Sequence, residues 1–157
     1  QLFNYVKNAL PEKFKGSSQY NEEMLNRLVP TVIERIQIAQ DITTASEVGE
    51  YDFAFFNPTD YETSLLKWKN DTDVSESKPR LEKAIELLKE TDFSTPETIK
   101  ASLWPYAEEV GKGEIFWPLR VALSGKSQSP DPFTIAYIIG PEETLKRIQL
   151  ACDKIEG

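Results

Sequence analysis

Apolar residues recur along this chain at intervals of three and four, the spacing that gathers them on one face of an α-helix. Met24, Leu25 and Leu28 set the first stripe, and Pro30 restarts the helix that carries Val32, Ile33 and Ile36. Thr59 or Asp60 is placed to cap a helix holding Tyr61, Leu65, Leu66 and Trp68. The polar stretch Asn70–Ser77 breaks the pattern and marks a boundary near residue 74. Beyond it Leu81, Ile85 and Leu88, widened by Ala84 and Leu87, form a clean stripe. Ser94 with Glu97 makes a capping box, with Pro96 in the first turn; Pro105 then kinks or ends that helix, and Gly111 and Gly113 let the chain turn. A helix through Pro118 to Leu123 stops at Gly125. Ser129 caps another that starts at Pro130 and ends at Gly140. Pro141 opens the last, with Leu145, Ile148, Cys152 and Ile155 on one face. No stretch alternates convincingly with period two, although Tyr51–Phe56 is compatible with an extended run. The pattern predicts an all-α fold with a candidate boundary near residue 74.

Composition narrows the function more than the fold. Its 157 residues suffice for one good core or two small helical subdomains. No apolar run approaches the roughly 20 residues of a membrane span, and the N-terminus lacks the pattern of a secretory signal. Because the chain begins without Met, it is read as a fragment or processed product. The single Cys152 cannot form an internal disulfide, which points to a reducing, cytoplasmic setting. There is no histidine, which removes the commonest general base and most zinc sites; no metal site is expected. Gly125-Lys126-Ser127 imitates the end of a P-loop, but Arg120 stands where that motif needs glycine. The carboxylate pairs Glu22-Glu23, Glu108-Glu109 and Glu142-Glu143 sit in or beside first and last helix turns, with no contrast of environment to suggest an acid–base pair. Glu142-Glu143 directly follow Pro141, where negative charge favours the positive end of the helix dipole. No catalytic residue is assigned, so function is expected to come from binding.

Three features are suited to RNA. Arg120 lies in the apolar run Pro118-Leu119-Arg120-Val121-Ala122-Leu123-Ser124-Gly125; its planar donors fit a base edge, whereas the bland reading is a core-edge arginine paired with a carboxylate. Arg35 is a second donor, or a partner for a nearby acid such as Asp41. Phe116, Trp104 and Trp117 offer flat surfaces for bases, yet their spacing suits a core better. The net charge of −8 opposes phosphate binding. Between Gly111 and Ser127, however, Lys112, Arg120 and Lys126 outnumber Glu114.

The stretch from Gly111 to Ala151, with its Pro-Leu-Arg run, Gly125 and the Ser129-Pro130 element, resembles the C-terminal anticodon-binding domain of bacterial-type glutamyl-tRNA synthetases. A weaker likeness covers Arg27–Phe56 and Ser75–Leu88. The resemblance implies two adjacent helical subdomains, residues 1–74 near the anticodon stem and residues 75–157 caging the splayed loop bases. It implies that Arg120 contacts the anticodon, that Ser129 and Pro130 lie by the first anticodon base, and that Arg35 recognises the third. Asp131 and Pro132 stand where the family has glycine and a bulky apolar residue, which places Pro132 in the same pocket. It further implies a full-length glutamate–tRNA ligase whose catalytic domain, with its ATP and Mg2+, lies outside this chain. The expected partners are the tRNA for glutamate and that N-terminal catalytic domain, in a monomer. The competing expectation is an acidic helical module that binds protein through a groove lined by Trp104 or Trp117.

Overall fold

The computed structural model describes residues 2–35, 51–58 and 60–156, leaving aside the side chains of residues 2, 34 and 35. Among these, every regular element is a helix and there is no strand. It divides into two compact units, residues 1–57 and 58–157. The seam therefore falls ahead of residue 74, and the polar break at Asn70–Ser77 lies inside the second unit.

The first unit contains α1 (Leu2–Ala9), α2 (Glu12–Lys15), α3 (Glu22–Arg35) and α4 (Asp52–Phe55). Met24, Leu25, Leu28 and Val32 are buried as their spacing requires, while Ile33 is exposed. Ile36 lies outside the described residues. The Tyr51–Phe56 run is a short helix and not a strand, with only Phe56 extended at its end. Phe55 stacks on Phe14 with centroids 4.3 Å apart. Ser17 Oγ donates to Phe55 O at 2.7 Å and Gln19 Nε2 to Ala54 O at 3.1 Å, so α4 is held by side chains as well as packing.

The second unit opens with two 3-10 turns, Thr63–Leu66 and Val74–Glu76. The α-helix expected from Tyr61 to Trp68 is thus only one short turn. Its backbone is instead fastened from outside: Ser77 Oγ donates to Leu66 O at 2.8 Å, and Trp117 Nε1 to Leu65 O at 2.8 Å. These bonds explain why residues before 74 belong to this unit. Five helices follow: α5 (Ser77–Leu88), α6 (Pro96–Val110), α7 (Lys112–Ser124), α8 (Pro132–Ile139) and α9 (Pro141–Glu156). Two caps shift from their expected places. Thr95, not Ser94, caps α6 in a box with Thr98, and Asp131, not Ser129, caps α8. Pro105 does not end α6, which runs on to Val110. Proline there removes the hydrogen bond to the carbonyl of residue 101, but both Ala101 and Pro105 are exposed, so water can serve that oxygen.

The end of α7 is held by its own cap and by a second helix. Gly125 stops the helix at φ 73°, and its amide donates to Val121 O at 2.7 Å. A Cβ at Gly125 would meet the Pro58 Cβ at 2.7 Å, so both backbone conformation and space exclude a side chain. From α9, the buried Arg147 donates through NH1 to Leu123 O at 2.8 Å, and through Nε to Glu143 Oε2 at 2.8 Å. Burial lowers the pKa of this guanidinium and Glu143 opposes that shift. Arginine nevertheless keeps its charge in a protein, so a charged donor reaches a helix-end carbonyl.

Removing Arg147 leaves Glu143 and the Leu123 carbonyl without this donor. Arg147→Met is expected to cost about 3–5 kcal/mol in urea denaturation, and the Arg147→Met/Glu143→Met pair less than the single change. Equal losses for both would contradict the assignment. Cys152 reports the same packing. Burial is the main cause that pushes its thiol from 9.0 up to about 11. A raised pKa means that the folded state holds the proton more tightly, so this contribution is complete below pH 9 and is lost as pH rises towards 11. Alkylation of Cys152 at about pH 8 should therefore track unfolding, and rapid labelling of the native chain would refute the burial.

Candidate nucleic-acid interface

Arg120 projects from a helix whose two sides have different tasks. Leu119, Val121, Ala122 and Leu123 are buried around it, and Arg120 itself is half-buried. One face of α7, spaced by three, four and seven residues, carries Gly113, Phe116, Trp117 and Arg120. With Trp68 and Lys112 these residues line a groove of about 250 Å³. No carboxylate pairs with Arg120 among the described residues. The bland reading of a core-edge ion pair is therefore absent there, and the guanidinium faces a concave surface with its donors available.

The groove's aromatic walls are built by a tight approach. Trp68 tilts against Trp117, with centroids 6.0 Å apart. A Cβ at Gly113 would overlap the Trp68 ring, so only glycine lets the indole lie against the first turn of α7. Trp117 spends its indole N–H on Leu65 O, whereas Trp68 Nε1 has no hydrogen-bond partner among the described residues. Sequence reasoning places Trp68 on an ordinary helix and misses this role; the available signal is the small residue at position 113. Phe116 continues the surface, edge-on to Phe133 at 4.9 Å and stacked with Trp104 at 6.1 Å. Phe116, Trp104 and Trp117 are all half-buried, between the core role that their spacing favours and full exposure.

The loop after α7 is joined to the arginine helix through Ser124. Its hydroxyl lies 2.8 Å from Arg120 O and 3.1 Å from Lys126 O, sharing one proton between them, and accepts from Lys126 N at 3.1 Å. Gly125-Lys126-Ser127 thus ends a helix, unlike a phosphate loop that begins one. Ser129 is half-buried and donates to Pro130 O at 2.8 Å. Pro130 and Pro132 are buried, and Pro132 forms the first turn of α8. The Asp131 carboxylate accepts from Thr134 N and Thr134 Oγ1, both at 2.9 Å, so the acid serves the helix cap. Arg120, Ser129, Pro130 and Pro132 therefore share one unit and flank one helix end. Arg35 closes α3 in the other unit, and its side chain lies outside the described residues.

The anticodon binding domain model matches residues 1–152. This chain belongs to that family. Among the relatives of this anticodon binding domain, the glutamate–tRNA ligase of Clostridium tetani is 36% identical over 162 residues, covering 99% of this chain and 31% of that protein. The glutamate–tRNA ligase of Lachnoclostridium phytofermentans is 32% identical, covering 98% of this chain and 30% of the other. A solved glutamate tRNA ligase from Elizabethkingia meningosepticum, in complex with its amino acid, superposes with a TM-score of 0.76 at 25% identity. It covers 98% of this chain and 29% of that one. The domain thus spans about three-tenths of the length of these proteins. An acidic protein-interaction module finds no support beside this family membership.

Gly113→Ala tests the groove wall. Helix propensity alone would favour alanine by up to about 1 kcal/mol, but the added methyl must displace Trp68. The variant is expected to lose stability and to change the near-ultraviolet tryptophan signal. A gain in stability with an unchanged signal would show that Trp68 does not occupy this position.

Proposed function

We propose that this chain is the anticodon-reading part of a glutamate–tRNA ligase, the enzyme that joins glutamate to its tRNA with ATP. The observation that carries the proposal is the half-buried Arg120, lacking a carboxylate partner among the described residues and facing an aromatic groove. Arginine in that setting can both stack on a splayed base and hydrogen-bond its edge. Trp117 and Phe116 add flat surface at the same place. Family membership and the ligase relatives supply the kind of RNA.

In this reading Arg120 contacts an anticodon base. The Ser129-Pro130 loop borders the first base, with Pro132 holding the loop's exit in shape. Arg35 recognises the third. The second unit cages the loop and the first lies by the stem. No group of three metal-ligating side chains occurs among the described residues, and the Gly125-Lys126-Ser127 turn has the wrong geometry for phosphates. In this reading ATP and Mg2+ are held by the catalytic portion, as the ligase relatives suggest, and that portion is the domain's partner within one monomeric cytoplasmic enzyme. Among the described residues, no helix is long and apolar enough to cross a membrane.

Binding to glutamate tRNA transcripts with native and substituted anticodons tests this. Arg120→Ala is expected to weaken native binding by about 1–3 kcal/mol and to reduce discrimination between the transcripts. Arg35→Ala should remove discrimination at the third position alone. Wild-type binding that ignores the anticodon would overturn the proposal.

A further inference from the structure

The Arg120 groove does not end at Phe116. Trp104, stacked on that ring, lines a neighbouring cavity of about 450 Å³ with Glu97, Lys100, Ala101 and Pro105. Two ammonium groups stand over the Trp104 ring, Lys112 Nζ at 4.5 Å and Lys100 Nζ at 4.9 Å from its centroid. They come from different helices, α7 and α6, so local sequence spacing does not explain their meeting. Neither lysine has an ion-pair partner among the described residues, Glu97 included. The ring's negative face attracts each cation, but the pair repels itself. An anion bound at the ring's edge would neutralise this local positive charge, in a chain of net charge −8.

Lys112 also lines the Arg120 groove, so its contact with Trp104, like the Phe116–Trp104 stack, places the two surfaces side by side. We propose that Lys100, Trp104 and Lys112 form a second nucleotide seat. It holds the phosphate of a single-stranded RNA nucleotide adjacent to the one at Arg120, with that nucleotide's base against the aromatic strip. The inference rests on the anticodon-reading function proposed above. Its contribution differs in kind from that of Arg120: phosphate contacts position an RNA without reading its sequence. It also explains how an acidic domain follows a polyanion, by concentrating unpaired cations along one aromatic strip.

The test is a salt titration of glutamate tRNA binding by the wild-type chain, Lys100→Gln/Lys112→Gln, Trp104→Leu and Arg120→Ala, each with native and substituted anticodons. The double lysine variant alters exposed residues and should fold normally. It is expected to flatten the dependence of log K on log salt by about 0.7 for each phosphate that the protein no longer neutralises. Its preference for the native anticodon should remain at the wild-type ratio. Trp104→Leu should weaken both RNAs equally, by roughly 5- to 140-fold. An unchanged salt slope in the double variant, with anticodon preference intact in the wild type, would overturn the seat alone. Loss of anticodon preference in the double variant would also overturn it, by making the lysines base readers. Wild-type binding without anticodon preference, or no binding, would overturn the underlying function as well.

Discussion

Everything proposed for the second unit depends on the buried Arg147. A guanidinium taken out of water is costly, and only good geometry with further hydrogen bonds offsets that cost. Both conditions are met: Glu143 lies one turn away on the same helix, and Leu123 O accepts at 2.8 Å from the end of α7. Leu123 is three residues beyond Arg120, and Gly125 closes the helix two residues later. A charged donor thus holds the carbonyl end of the helix that carries Arg120. The proposed base reader is a long side chain, but it stands on a backbone that has little room to move.

Separate contacts shape the aromatic strip. A core of aromatic residues would ordinarily close over itself. Here Gly113 admits Trp68 against the first turn of α7, and Trp117 is turned by its bond to Leu65 O. The rings are left half-buried in a row, with lysines over one of them. Local composition then outweighs the total. The net charge is −8, yet carboxylates such as Asp73, Asp131 and Glu143 are occupied by helix caps or the buried ion pair. The cations of the strip have no such partners among the described residues.

Much of this unit is legible as pattern. The helix end at Gly125, the restart at Pro141 and the stripe from Leu81 to Leu88 follow from local rules, because caps and periodicity act over a few residues. Pattern fails where distant packing decides. Thr95 and Asp131 displace Ser94 and Ser129 as caps, since several residues in each loop can cap and tertiary packing selects one. Residues 58–74 read as part of the first subdomain, but Ser77 and Trp117 bind their carbonyls from the second unit. Tyr51–Phe56 has no clear period and folds as a helix fastened by Ser17 and Gln19. Of the candidate site, Arg120 is recognisable as an arginine in an apolar run. Arg147 is not, although its spacing from Glu143 is visible as an i, i+4 pair. Nothing local distinguishes a buried pair of that kind from a solvated one.

In the proposed reading an RNA base lies against Arg120 in the groove formed by Trp68, Phe116 and Trp117. The most direct measurement is a crystal structure of this chain bound to the anticodon stem-loop of a glutamate tRNA. An unstacked anticodon base is expected in that groove, with the Arg120 guanidinium within hydrogen-bond distance of its edge. RNA bound on another face of the domain, or Arg120 turned to a protein carboxylate in the complex, would contradict it.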